Sequence, residues 1–426
     1  MASGPLDGIK VLEFTQIIAG PFGCQNLGDM GATVIKVEPP EGEPWRQFAQ
    51  FMPGESKLFQ SLNRGKLSLV LRMTDPQAQD VAHRLVPEMD VVVINYRPDV
   101  AARLQIDYDT LRALRPDLIY VDNTAFGRKG PWADRPGYDI VAQAVSGLMA
   151  SEGKINEESQ APSAISSVAV ADYATGIVIP WAVCAALFHR EKSGEGQLIE
   201  TTLLGTALAV QNSQIFDLPA ADAETNQTME RVAELRKAGA PYPDLVDAYG
   251  ALRGVWGSAN IYYRGWDTKD GAVVIGALSP ALWAKVRKAL GTDFLGMADP
   301  EADPNDAEWM AHEAARVRLI EEDVRQKTTD EWLAIFEREG VPAGAVRFPE
   351  ELLDDPQVAA NEMLVPLEHD LSGPQRQVAP MFKMSATPLA AQGASPPLGR
   401  DTDAILQSAG YAPSEIDDLR RDGVVG

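Results

Sequence analysis

Through the first half of the chain, short aliphatic runs alternate with stretches of helical periodicity. Ile9–Phe14 (IKVLEF), Thr33–Glu38 (TVIKVE), Leu67–Leu71 (LSLVL), Asp90–Asn95 (DVVVIN) and Leu118–Asp122 (LIYVD) predict five strands. Gly20–Gly31 and Pro76–Val86 predict helices between them, the second with proline in its first turn. Such alternation predicts a parallel sheet wrapped by helices, with ligands at the carboxyl ends of the strands. The most apolar stretch, Tyr173–His189, predicts a buried helix that stops at the glycines of KSGEGQ. Pro180 interrupts it, and it falls short of the roughly 20 apolar residues of a membrane span. A second apolar helix is expected from about Ile199 to Ile215.

Beyond residue 216 the texture turns polar and acidic. Asn260–Trp266, the turn-forming TKDG and Ala272–Gly276 then predict a hairpin. Ser279 is placed to cap one helix, and TTDE at Thr328 resembles a capping box for another. Residues 340–346 predict a strand. The pattern yields a small α+β domain at 220–330, inserted into a large domain made of 1–219 and 331–426.

The formal charge of −23 argues against nucleic acid or an anionic membrane as a partner. Residues 1–150 carry only −3 of it, so an anionic small ligand is expected in the N-terminal third. Two cysteines and the opening MASGPLDG, which lacks a basic stretch and an apolar core, predict a cytoplasmic protein without a disulfide framework. The four histidines are scattered, and no Cys or His pair has ligand spacing, so no metal is expected.

Candidate chemistry begins with AVADYATGIV, residues 169–178, where Asp172 stands alone before the long apolar helix. One reading is an N-cap bonded to the N–H of Ala174 or Thr175. The other is a nucleophilic carboxylate, kept ionised by the helix dipole and given room by Ala171, Ala174 and Gly176. In LNRGKLSLVL, Arg64 and Lys66 flank Gly65, which suits a phosphate or a solvated turn. In INYRPDVAARL, Tyr96 and Arg97 follow a strand end, where a ligand or a core-covering aromatic fits. GPFGCQNLGDMGA has glycines without dinucleotide-binding spacing. In RPGYDIVAQAVSG, Asp139 is read as another cap or as an acid that positions substrate.

Taken together and in order, PLDGIKVLEF, GATVIKVE, LNRGK, the Asn-x-Arg-Pro loop, ADYATG, KSGEGQ and PPLGRDTDAILQSAG resemble the class III coenzyme A transferases, the CaiB/BaiF family. The resemblance spans essentially the whole chain. It implies a Rossmann-like large domain built from both chain ends, a smaller inserted domain and an interlocked homodimer. It implies Asp172 as the catalytic nucleophile. It places Ile18 and Ala19 near the thioester, and Asn63, Arg64, Lys66, Asn95, Tyr96, Arg97 and Arg103 on coenzyme A. Tyr138 and Asp139 match the pair beside the nucleophile. The implied substrates are an acyl-CoA, succinyl-CoA among the candidates, and a free carboxylic acid, with no permanently bound cofactor. The family also contains 2-methylacyl-CoA racemases, but these use a histidine where this chain has Tyr138 in GYD. A racemase therefore remains an alternative, as does a non-catalytic subunit that binds CoA esters. Formyl-CoA:oxalate transferases carry a glycine run where this chain reads RGVWGSANIYYRG, which argues against oxalate.

Overall fold

The computed structural model describes residues 4–252, 259–303 and 306–426. Of RGVWGSANIYYRG, residues 253–258 lie outside the described residues. The chain divides into two units, Met1–Asp217 with Gln357–Gly426, and Leu218–Pro356.

The larger unit is built on six strands: β1 (Lys10–Phe14), β2 (Thr33–Glu38), β3 (Leu67–Val70), β4 (Val91–Ile94), β5 (Ile119–Thr124) and β6 (Leu198–Thr202). They pair in the order 3-2-1-4-5-6, every pair parallel. Near-continuous Val, Ile and Leu runs suit strands covered on both faces, and Val91–Ile94 are all fully buried. One face packs against α1 (Ala19–Asp29) and the long helix α6 (Val170–Ser193), the other against α3 (Pro76–Leu85) and the C-terminal helices α8 (Thr402–Ser408) and α9 (Pro413–Arg421). The C-terminal segment follows the β3 edge. Asp401 accepts the Ser68 N–H at 2.8 Å, and Val425 bridges Leu71.

The region read as one helix from Ile199 to Ile215 is instead the sixth strand, followed by α7 (Leu203–Ala209) and a turn of helix at Asn212–Ile215. Ile199, Thr201 and Thr202 are β-branched, which favours a strand, and the Thr202 hydroxyl accepts the Gly205 N–H and so starts α7. The long helix also differs from expectation. It runs 24 residues, long and apolar enough to cross a membrane on those criteria alone. Ile179, Val183 and Ala186 are packed into the core beside the sheet, but Ile177, Trp181 and Phe188 are exposed on this single chain.

The smaller unit holds a three-stranded antiparallel sheet, β7 (Tyr263–Asp267), β8 (Ala272–Gly276) and β9 (Ala343–Ala345), with β8 central. Tyr262 and Trp266 are buried in its core. Thr328 closes a reciprocal capping box with Glu331 at the start of the helix Thr329–Glu339. That helix contributes Trp332 and Phe336 to the same core, and β9 completes the sheet. The chain therefore returns to the larger unit at residue 357, not at 331.

Helices α1 and α6 meet across glycines. A Cβ on Gly176 would lie 2.8 Å from Phe22 Cδ1 and 3.0 Å from the Ala19 carbonyl oxygen. Gly176→Ala should therefore destabilise the fold by about 1–3 kcal/mol through overpacking, read as a lower thermal midpoint. An unchanged midpoint would mean that the two helices separate freely.

Candidate active site

Asp172 sits in the first turn of α6, but it does not cap that helix. The N-cap position is Ala169, and it supplies no side-chain hydrogen bond. The cap comes from another element. Asp139, at the start of α5 (Asp139–Val145), accepts the N–H groups of Ala171 at 2.7 Å and Asp172 at 3.2 Å through Oδ1. Its Oδ2 accepts from Gln143, whose own amide oxygen accepts the Ile165 N–H at 3.1 Å. With two of the orphan donors satisfied from outside, the Asp172 carboxylate forms no hydrogen bond or ion pair among the described residues, although it is 8 % exposed.

Two influences compete for its charge. The helix terminus favours the anion by about 0.3–1 kcal/mol, up to ~2 kcal/mol in buried settings. Burial, and secondarily the Asp139 carboxylate, push the other way and raise its pKa to about 7. A shift from 3.8 to about 7 corresponds to roughly 4 kcal/mol. Burial is the larger influence, so Asp172 ionises less readily than the helix dipole alone would make it.

Two cavities open on Asp172. The larger, about 740 Å³, is lined chiefly by apolar groups, among them Ile18, Trp45, Leu58, Leu62 and Val168. The smaller, about 70 Å³, is polar, with Gln16, Asn95, Asn123 and Thr124. Ile17 and Tyr138 border both. Tyr138 is largely exposed, and Ala19 is buried where α1 meets α6. Asn95 does not point a free amide at a ligand. It clamps Gln16, accepting its N–H at 3.0 Å and donating to its carbonyl at 2.8 Å.

The cations of LNRGK are committed elsewhere. Lys66 is fully enclosed. Its ammonium lies 2.8 Å from Glu13 Oε2 and donates to the Pro21 carbonyl at 2.9 Å and to Asn63 Oδ1 at 2.8 Å. Asn63, also fully buried, donates to the Phe59 carbonyl. Arg64 forms a two-pronged pair with Asp29 and donates to the Val378 carbonyl. Contact with coenzyme A is thus corrected for Lys66 and Asn63, which are spent inside the protein; Arg64 is paired too, but it also borders a cavity of about 650 Å³. Tyr96 packs onto the core, and burial pushes its phenol up to about 12. Arg97 is exposed and paired with Asp99. Arg103, at the end of α4 (Pro98–Arg103), is exposed and makes no hydrogen bond or ion pair among the described residues.

Three features escaped the sequence reading. One is the cap by Asp139 on a helix other than its own. Another is the buried charge row around Glu13. The last is Ile17, whose φ of +71° puts a β-branched residue in the left-handed region. Only the charged residues inside the strand runs, Glu13 and Lys36, were visible hints.

A parallel sheet wrapped by helices, one of which opens on an unpaired, buried carboxylate facing a ligand-sized cavity, defines an α/β protein with a candidate catalytic site. Residues 6–402 match the family model described as CoA-transferase family III, and the chain belongs to that family. It is 32% identical to the human succinyl-CoA:glutarate CoA-transferase, an alignment covering 99% of this chain and 90% of that one. It is 33% identical to the succinate–glutarate CoA-transferase of Agrobacterium fabrum, over 94% and 95% of the two chains. Among solved structures, a CAIB/BAIF family protein from Brucella suis superposes with a TM-score of 0.73 at 30% identity, over 96% of this chain and all of that one.

Lys66→Met should leave Glu13 short of a partner and destabilise the protein by on the order of 3 kcal/mol. The KM for CoA esters should stay within about twofold; a large KM rise without loss of stability would restore Lys66 as a ligand contact. Asp172 must be ionised to act as nucleophile or base. The kcat/KM should therefore rise with pH to a plateau, with a midpoint near the raised value of about 7. Asp139→Asn keeps a capping oxygen but removes the charge, and should lower that midpoint. A rate flat from about pH 5 to about pH 9 would exclude this carboxylate as the titrating group.

Proposed function

We propose that the enzyme moves coenzyme A from an acyl-CoA to a free carboxylic acid, with Asp172 as the covalent nucleophile. The observation that carries this reading is the Asp172 carboxylate itself: buried, unpartnered and open to a cavity large enough for an acyl group. A pKa near neutrality makes it more basic than an ordinary carboxylate while leaving a usable ionised fraction.

An Asp172 oxygen attacks the donor thioester carbonyl, the C–S bond breaks, and an aspartyl-acyl anhydride and CoA thiolate result. The thiolate then attacks the aspartyl carbonyl, releasing the donor acid and leaving an aspartyl-CoA thioester. The acceptor carboxylate attacks that thioester and expels thiolate, which returns to the acceptor acyl carbon and frees Asp172. Each step exchanges one activated acyl bond for another. Water must be kept out, because it would hydrolyse the anhydride; the apolar lining of Ile18, Trp45, Leu58 and Val168 suits that need.

The names of the similar human and Agrobacterium proteins favour succinyl-CoA as donor and a short dicarboxylate such as glutarate as acceptor. Arg103 is the cation we assign to a coenzyme A phosphate. The exposed Ile177, Trp181 and Phe188 on α6 favour a second copy of the chain as cover, in keeping with an interlocked homodimer. A histidine-dependent racemase fits less well, since Tyr138 stands beside Asp139.

Asp172→Ala should abolish transfer from succinyl-CoA to glutarate while preserving the circular dichroism spectrum. Hydroxylamine added during turnover should convert Asp172 to a hydroxamate, found by peptide mass spectrometry. Near-normal transfer by the variant, or a hydroxamate on another residue, would remove the mechanism.

A further inference from the structure

Glu43 is a buried acid with no part in the chemistry above. It is 2 % exposed and lies in the loop after β2. One oxygen, Oε1, is 3.2 Å from the Lys36 ammonium. The other, Oε2, accepts the main-chain N–H of Ile17 at 2.7 Å. Lys36 is itself held by Glu13 at 3.0 Å and by the Thr15 carbonyl at 2.9 Å, and Glu13 is held by Lys66. A row of alternating charges, Lys66–Glu13–Lys36–Glu43, thus crosses the interior and ends on the Ile17 backbone.

Ile17 is the second half of the observation. A φ of +71° is strained for a residue branched at Cβ, and such strain persists only where the surroundings over-determine it. Here they do. Thr15 is tied through its carbonyl to Lys36, Gln16 through both main-chain groups to Asn95, and Ile17 through its N–H to Glu43. A charged acceptor makes the stronger hydrogen bond, and this one stands on a fixed ion pair. Ile17 borders both cavities that open on Asp172. A relaxed Ile17 would move their shared wall.

We propose that Glu43 is a positioning residue: anchored on Lys36, it holds the Ile17 main chain in the left-handed conformation and so fixes the wall against which the acyl group meets Asp172. The proposal rests on Asp172 being the nucleophile.

The test is the rate of hydroxylamine-trapped Asp172 adduct formation from succinyl-CoA in rapid-quench experiments on the full chain. Glu43→Ala should slow that rate at saturating succinyl-CoA by roughly tenfold or more, with KM within about threefold. Adding Ile17→Gly to Glu43→Ala should recover several-fold of the loss, because glycine adopts positive φ without strain. Glu43→Gln keeps the volume but cannot serve both Lys36 and the Ile17 N–H as an acceptor, so it should also be slow. It stands in for the alanine variant should circular dichroism show that one unfolded. A wild-type rate in a folded Glu43 variant, or a double variant no faster than Glu43→Ala, would overturn the positioning role while leaving the nucleophile intact. No Asp172 adduct in the wild-type enzyme would remove the nucleophile and this role with it.

Discussion

The Asp139 carboxylate is spent on the first N–H groups of α6, and the site depends on that arrangement. A helix start leaves several donors unsatisfied, and the nearest acid normally supplies an acceptor. Were Asp172 that acid, its oxygens would be turned toward its own backbone. Because Asp139 arrives from α5 to do the capping, Asp172 is left facing the cavities. The two acids also divide the electrostatics. Asp139 is surrounded by donors, whereas Asp172 has none and is pushed up in pKa by burial and then by Asp139 itself. Two carboxylates of the same chemistry thus meet different surroundings, one spent on capping and one facing open space.

The charge row on the other side of the site is costly in isolation, since each buried ion gives up several kcal/mol of hydration. It is tolerated because every member has at least two partners. The sheet itself sets the spacing: Glu13 on β1 and Lys36 on β2 are register partners, so the pair forms as soon as the two strands do. Arg46 closes a second such cluster, with Glu38 at 2.7 and 2.9 Å, Glu55 at 3.2 Å and the Phe59 ring beneath its guanidinium. Both clusters sit at the carboxyl end of β2 and tie the loops there to the strands.

Local signals in the sequence were sufficient for much of this. Five of the six strands of the larger sheet, the hairpin and the Thr328 capping box are written in short-range periodicity and turn chemistry. The sixth strand was missed because LIETTLL is apolar enough to merge with the helix that follows, and only pairing with β5 decides its state. Asp172 stood out in the sequence as a lone acid before an apolar helix; its freedom from capping did not, because that depends on a residue 33 positions away. The LNRGK cations misled for the same reason. A lysine and an arginine around a glycine look solvent-facing until Glu13 and Asp29, distant in sequence, are folded against them.

The strand order is the one used by dinucleotide-binding folds, yet the glycines of the first helix serve a different purpose. In a nucleotide site, glycines let a phosphate approach the backbone. Here a Cβ on Gly20 would lie 2.4 Å from Thr15 Cβ, and one on Gly23 would lie 2.9 Å from the Ile179 side chain. These glycines let α1 lie hard against the first loop and against α6. That contact brings the Ile17–Ile18 turn to the start of the helix carrying Asp172. The same small residues at the same place in the same topology thus serve close helix packing, a use that the strand order alone does not dictate.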